Sequence, residues 1–338
     1  MSKAIAAFGE VMMRMTVPGH DLVSQASTLH YSFSGTGVNV TGSLTKLGHQ
    51  TTVISALPQT PIGDAAVAHL HKLGISTDEI VRTGNDIGFY FLENGFGDRP
   101  SRVTYSNRLV SSFNTTKIDQ YDFIRLSMQI DVLHLCGIAL AMNDTIRHQM
   151  IEFAQLVKHH GGMVVFDCNY RPALWKNNEP QKARIYYEQL LPLADIVIMN
   201  EQDAKSTLGY SSPYQTREEQ LEDLIPKVAH HFSIPQIAGT LRTVHQYRTH
   251  SIKGYLYQNK TFYYDTHPHF MVLDRIGAGD AFTSGIIHGQ LCNHNPDHVI
   301  QFATASCKLA HTITGDTPLA TEEEILQAMR KTATDIIR

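Results

Sequence analysis

Short apolar runs alternate along much of this chain with longer stretches whose apolar positions recur at helical spacing. "KAIAAFG" (3–9), "TTVISAL" (51–57), "DVLHLCG" (131–137), "GMVVFDCN" (162–169) and "DIVIMNE" (195–201) read as buried strands. Between them, "DTIRHQMIEFAQLVKHHGG" spaces Ile146, Met150, Phe153 and Leu156 or Val157 along one helical face, and Gly161 supplies the stop. After residue 278 the pattern is mainly helical, through "AFTSGIIHGQL", "DHVIQFATASCKLAHTI" and "TEEEILQAMRKTATDII". Strands alternating with helices predict an α/β fold: a mostly parallel sheet covered by helices on both faces.

Two stretches break the rhythm. Residues 11–33 and 86–112 carry "VMMRMTV", "LHYSFS", "GFYFLEN" and "SRVTYSN" without intervening helices, and "NGFGDRP" has the composition of a hairpin turn. These segments predict a small separate sheet, placed as a lid or an oligomer contact. No repeat, low-complexity tract or Pro/Ser-rich linker divides the chain, so residues 1–338 are read as one domain with the two lid segments inserted.

Composition narrows the function. The chain has 338 residues, 42% of them hydrophobic, enough for a substantial core. A net charge of −4 with no long basic stretch argues against nucleic acid as the main partner, though a local arginine cluster still suits a small anion. No segment approaches the roughly 18–20 apolar residues of a membrane span. The start, "MSKAIAAFGEVMMRM", is too short an apolar run for a signal peptide, so a cytoplasmic protein is expected. Cys136, Cys168, Cys292 and Cys307 form no CxxC pair, and three of them accompany apolar runs, as buried thiols do. The 19 histidines are scattered and none precedes a glutamate, so solvated or capping imidazoles are expected rather than a metal centre.

Chemistry concentrates where predicted strands end: "DCNYR" (167–171), "NEQD" (200–203), "GTLRT" (239–243) and "DRIGAGD" (274–280). In open parallel sheets, ligands bind beyond the carboxyl ends of the strands. "GAGDAF" fails the dinucleotide pattern because Phe282 takes the last glycine position, "GTGVNV" fails likewise at Val40, and no Gly-Lys dipeptide exists for a P-loop. Gly277, Ala278 and Gly279 before a helix still form a concavity of N–H donors for a phosphate. Asp280 on the first turn either accepts a proton from a hydroxyl being phosphorylated or complements the helix dipole. Arg171 offers a planar fork to a carboxylate or phosphate. "NEQD" either holds hydrated Mg²⁺ through oxygen ligands or caps a helix. Along "RVTYSNR", alternation puts Val103 and Tyr105 on one face and Arg102 and Thr104 on the other, so only some face a site.

Together these motifs resemble the ribokinase-like (PfkB) sugar kinases, over nearly the whole chain, from "SGTGVNVTGSLTKLGHQ" to "DRIGAGDAFTSGI". Within that family the chain looks most like the 2-keto-3-deoxygluconate kinases, through "GFYFLENGFGDRPSRVTY", "DCNYRPALW", "GTLRT" and "HTITGD". The resemblance implies a three-layer αβα core with a small β-sheet lid that often clasps a second subunit, hence a homodimer or higher homo-oligomer. It implies ATP and Mg²⁺, Asp280 as catalytic base, and Gly277, Ala278 and Gly279 as anion hole. The sugar would meet Gly35, Asn39, Tyr90, Tyr105, Arg171 and Asp316; nucleotide contacts would come from Asn169, Asn200, the Thr240–Arg242 loop and the GAGD turn. Asp203 would serve the metal.

The chain departs from the family pattern at several positions. Ser34-Gly35 replaces a glycine pair, and Arg275 stands where threonine or serine is usual, a variant shared with acid-sugar members. Asn107 occupies the position of the lid arginine and Arg108 follows, so both are substrate candidates. "GTLRTVHQY" lacks the glycine-rich form of the nucleotide loop, and Asp203 replaces glutamate in the metal motif. The expected activity is phosphorylation of a sugar acid, 2-keto-3-deoxygluconate, at its primary hydroxyl. The alternatives are a kinase for fructose or ribose and a non-catalytic sugar-binding regulator.

Overall fold

The computed structural model describes residues 3–175, 180–245 and 249–330. The chain opens with β1 (Ala4–Phe8), β2 (Met12–Thr16), β3 (His30–Ser34), α1 (Thr36–Lys46), β4 (Gln50–Leu57), α2 (Pro61–Lys72) and β5 (Ile80–Arg82). Then come β6 (Phe89–Glu93), β7 (Arg102–Ser106), α3 (Ser112–Thr115), α4 (Phe123–Gln129), β8 (Val132–Cys136), α5 (Asp144–His159), β9 (Met163–Asp167) and α6 (Pro180–Leu190). The remainder is β10 (Ile196–Ile198), α7 (Glu201–Ser206), α8 (Arg217–Phe232), β11 (Gln236–Val244), β12 (Thr249–Gln258), β13 (Thr261–Met271), α9 (Ala278–Leu291), α10 (Pro296–Ala310) and α11 (Glu322–Met329).

The main sheet runs β13-β12-β11-β10-β9-β8-β1-β4-β5, parallel from β11 to β5. Its central strands are buried on both faces, which is why β8, "VLHLC", is apolar at every position but His134, itself buried. One face, through Leu133, Phe166 and Ile237, packs on α5 and α8 by way of Phe153 and Leu224. The other, through Ile5, Val165 and Ala238, packs on α1, α9 and α10 by way of Leu44, Phe282 and Phe302. Helices on both faces make the three αβα layers. Helix α5 begins where the side chain of Asn143 accepts the Ile146 N–H at 2.9 Å, and its buried residues include Ile146, Met150, Phe153 and Val157.

The edge beyond β10 differs from the expectation. "GTLRT" is not a loop: Thr240 to Arg242 lie within β11, paired antiparallel with β12. The hairpin β12–β13, unread in the sequence, extends the sheet past β11, turning at Asn259 and Lys260, both with positive φ. Of the "GTLRTVHQY" stretch, residues 246–247 lie outside the described residues, as do 331–337 of the last helical pattern.

The two β-rich segments form a second sheet, ordered β3-β2-β6-β7. Strands β6 and β7 are an antiparallel hairpin, closed by a bridge between Phe96 and Arg99 within "NGFGDRP". Strand β2 pairs parallel with β6 and antiparallel with β3.

The strand order reverses at β1, which sends the chain one way to β4 and β5 and later the other way to β8, β9 and β10. A crevice opens outside the carboxyl ends of strands at such a switch point.

Candidate active site

A cavity of about 660 Å³ occupies that crevice. Its floor comes from residues just past β1, β8 and β9, including Glu10, Ile138 and Asn169. The small sheet contributes Met12, Ser34, Tyr90 and Tyr105. This size is within the range of pockets that enclose small molecules.

Helix α9 aims its N-terminus into the cavity. Gly277 caps it at φ 81°, a left-handed conformation, and a Cβ there would collide with the backbone oxygen of Asp316. Nothing lies within 4 Å of a Cβ built on Gly279, so the amides of this turn are approachable. Gly35 has φ 149° and abuts the Glu10 carbonyl so closely that no side chain fits. Gly277 and Gly35 are thus required by local crowding, whereas Gly279 leaves the turn open.

Asp280, on the first turn of α9, accepts a hydrogen bond from Asn39 Nδ2 at 2.7 Å. Asn39 Oδ1 in turn accepts from the Thr317 hydroxyl at 3.2 Å, which fixes the amide's orientation. Burial pushes the Asp280 carboxyl up to about 8; the Asn39 hydrogen bond opposes the rise, Asp167 adds to it, and Arg171 opposes it. A carboxyl with so high a proton affinity, touching an open cavity, is suited to proton exchange with a bound hydroxyl.

Asp316 is an acid of the site already held by several partners. Its carboxylate accepts from the Ser34 and Tyr90 hydroxyls and pairs with Arg14. Arg14 also donates to Asp274 Oδ2 at 2.9 Å, so a buried guanidinium joins two acids on either side of the glycine turn. The sequence reading missed Arg14 and Asp274 in this role. The signal for Arg14 was its place as the charged residue within apolar "MMRMT".

Arg108 lines the cavity and stands over the Tyr105 ring at 5.1 Å; its Nη2 pairs with Glu10 at 2.8 Å, while its Nη1 is buried without a hydrogen-bond partner. Asn107 does not line this cavity. Its φ is 59°, and its amide donates to Asp86 Oδ1 and to the Ile87 carbonyl, both at 3.2 Å, which holds the turn after β7. The two candidates thus separate: Arg108 faces the cavity and Asn107 shapes its rim.

Charge is unevenly distributed. Arg14 and Arg108 are matched by buried carboxylates, whereas Arg171, Arg242 and Arg275 line the cavity without an ion pair to a carboxylate among the described residues. Burial lowers the pKa of Arg242, and its neighbour Arg275 adds to this. Three guanidiniums free of direct ion pairs, with Arg171 still within the field of Asp167 and Asp280, present an anion-binding wall.

Asn169, with φ 37°, donates to Asp167 Oδ2 at 3.1 Å, and its own Oδ1 is buried without a partner. Asn200 and Asp203 do not line the cavity; they form a reciprocal capping box on α7, with Asp203 Oδ2 accepting the Asn200 N–H at 2.9 Å. Burial raises Asp203 to about 7, with Asp167 adding to the rise, and burial raises Asp167 as well. Asp167, Asp203 and Asp280 therefore share a low-dielectric region in which negative charge is undersupplied with cations. Of the candidate residues read from the sequence, Gly35, Asn39, Tyr90, Tyr105, Arg108, Asn169, Arg171, Thr240, Arg242, Gly277, Ala278, Gly279, Asp280 and Asp316 all line the one cavity.

A doubly covered parallel sheet, a small sheet over its switch point, and a Gly-Ala-Gly-Asp helix start define a class, and comparison with known proteins agrees. The chain belongs to the pfkB family of carbohydrate kinases, whose model matches residues 2–322. It is thus a sugar kinase. Among curated relatives, it is 26% identical over 332 residues to a 2-dehydro-3-deoxygalactonokinase from Haloferax volcanii, covering 98% of each chain. A crystal structure of a candidate 2-keto-3-deoxygluconate kinase from Enterococcus faecalis matches with TM-score 0.94 and 36% identity, over 100% of this chain and 99% of that one. The 2-dehydro-3-deoxygluconokinase from Thermotoga maritima matches with TM-score 0.91 and 29% identity, over 97% and 99%.

Proposed function

We propose that this chain phosphorylates the primary hydroxyl of 2-keto-3-deoxygluconate, with ATP as donor and Mg²⁺ as metal. The observation that carries the reading is the placement of Asp280 and the Gly277–Gly279 amides in one cavity with Arg171 and Arg108. The names of the relatives from Haloferax volcanii, Enterococcus faecalis and Thermotoga maritima support a keto-deoxy sugar acid.

The reaction follows from the groups present. The sugar's terminal hydroxyl gives its proton to Asp280 as its oxygen forms a bond to the γ-phosphorus; the bond from that phosphorus to the β-bridging oxygen breaks, and ADP leaves. Asn39 holds the carboxylate of Asp280 toward the hydroxyl. The amides of the glycine turn, at the positive end of α9, stabilise charge on the transferring phosphoryl group. Arg242 and Arg275 suit the remaining phosphates.

The residues fit a divalent cation. Asp167, Asp203 and Asp280 are crowded acids, and Asn169 Oδ1 lacks a partner. Asn169 at the cavity and Asp167 hydrogen-bonded to it, with Asp203 behind them, would hold Mg²⁺, which would supply neutralising charge to the phosphates.

A sugar carboxylate requires a cation in compensation for its lost water. Arg171 has no carboxylate partner among the described residues, and Arg108 has an unused buried N–H, so these two with Tyr105 form the clamp. Core and lid act as one catalytic unit. The outer face of the small sheet, where Tyr31 is 62% exposed, meets a second copy of the chain. Four free cysteines and an ATP requirement suit the cytoplasm.

The test is coupled ADP release over a panel of neutral sugars and sugar acids. Highest kcat/KM on 2-keto-3-deoxygluconate supports the proposal; preference for fructose or ribose overturns the acid assignment, and absence of turnover on every sugar overturns catalysis.

A further inference from the structure

At the end of α9 remote from the glycine turn, the fold gathers donors that the sequence scatters. His288 and Cys292 stand four residues apart, one helical turn, and His294 follows in the connection to α10. One donor atom from each of these three lies within 4.8 Å of the others. Cys292 Sγ is 3.7 Å from His288 Nε2, and Glu322 Oε1, on the first turn of α11, is also 3.7 Å from that nitrogen. The opposite ring nitrogen, His288 Nδ1, is 3.0 Å from Nε2 of His49, which lies between α1 and β4.

We propose that His288 Nε2, Cys292 Sγ and His294 bind one zinc ion, with Glu322 as fourth ligand and His49 as the hydrogen-bond partner that orients His288. Zinc at 2.0–2.3 Å from tetrahedral N, S and O donors requires ligand atoms roughly 3.3–3.7 Å apart. Two of the spacings already have that value, and His294, exposed in its connection, brings its donor atom within 4.8 Å of the other two nitrogen and sulfur donors; exposed Glu322 reaches the fourth position by side-chain rotation. A donor from imidazole to a partner on its second nitrogen is the usual way such a ligand's tautomer and angle are fixed. The thiolate and imidazoles favour zinc over Mg²⁺, which prefers oxygen, so this site is chemically separate from the phosphate region. Along the helix it is also roughly 18 Å from Asp280, twelve residues at about 1.5 Å each.

Binding replaces the Cys292 S–H bond with an S–Zn bond and releases that proton to solvent. Its structural effect is to tie the end of α9 to the start of α11 and, through His49, to the α1–β4 connection. Those elements already share an apolar cluster through Leu47, Ile287 and Ile325, to which the ion would add a polar tie.

The whole chain, reduced and free of ATP and Mg²⁺, is titrated with Co²⁺ as an optical probe. Expected are thiolate-to-cobalt charge-transfer absorption that saturates at one equivalent, its displacement by Zn²⁺, and a zinc-dependent rise in melting temperature. Cys292→Ser removes the absorption, and His294→Ala weakens binding by more than the 10–100-fold that loss of an outer-shell partner causes. Both replaced side chains are exposed, and far-UV circular dichroism with metal-free melting confirms that the variants fold. No saturable absorption in the native chain, or its persistence in Cys292→Ser, overturns the proposal. So does an equal zinc-dependent rise in melting temperature in the double variant.

Discussion

The amide of Asn39 donates to Asp280 Oδ2 across 2.7 Å, joining the first helix of the chain to the start of α9. The bond favours the ionised form of an acid that burial strongly disfavours. It therefore sets how much of the protein carries a carboxylate able to accept a proton at neutral pH.

Asp280→Asn removes the proton acceptor while keeping shape and one hydrogen bond. General-base loss lowers turnover by roughly 10²–10⁴-fold. Single-turnover phosphoryl transfer at saturating sugar and ATP measures it, and near-native turnover would place the base elsewhere.

The rate should rise with pH in the neutral range. Asp280 is pushed up to about 8, and kcat/KM reports the ionisation of the free enzyme, so kcat/KM climbs toward a plateau above that value. Asn39→Ala removes the bond that lowers this pKa and moves the limb to higher pH. A profile flat from pH 6 to 9 in the native protein contradicts the assignment.

Stability should run the opposite way. A carboxyl raised in the folded state holds a proton that the unfolded chain releases above about 4, so its contribution is full below that pH. That contribution is lost as pH climbs toward about 8 for Asp280 and about 7 for Asp203. Asp280→Asn is thus expected to melt higher than the native protein at pH 8 and near it at pH 5. Equal differences at both pH values in calorimetry would remove the linkage.

Arg171→Ala should weaken an acid sugar roughly 10–100-fold, since a charge-assisted hydrogen bond contributes about 1.5–3 kcal/mol. The change belongs in the KM for the sugar acid. Michaelis constants for sugar and ATP, measured together, separate this from loss of donor binding.

Arg14→Met leaves Asp274 and Asp316 facing each other without their shared buried cation. Breaking one member of such a group costs about 3–5 kcal/mol. Chemical denaturation reads the loss, and a change under about 1 kcal/mol would show that the acids take up protons instead.

Legibility followed burial and locality. Strands β1, β4 and β8 to β10 were readable because two-sided burial demands mostly apolar runs. The β12–β13 hairpin was not, since its alternation is mixed with His, Lys and Thr, although Asn259 at a two-residue turn was a usable mark. The glycine turn and Asp280 are contiguous and were found. The Arg14 group joins residues 260 positions apart, and the imidazole–thiol cluster spans His49 to Glu322, so neither has a local pattern. Thr240 and Arg242 were placed at the cavity for a wrong local reason, as a loop instead of a strand continuing past its neighbour.

Asp316 already receives hydroxyls from Ser34 and Tyr90. A sugar hydroxyl that reaches this carboxylate replaces one protein hydroxyl with another group of nearly the same chemistry. With the sugar placed as proposed, recognition there would be an exchange, its yield in free energy the difference between two similar bonds. Selectivity at Asp316 would then come from geometry: a hydroxyl one carbon out of place could not reproduce what Ser34 and Tyr90 surrender, and the carboxylate would keep its original partners.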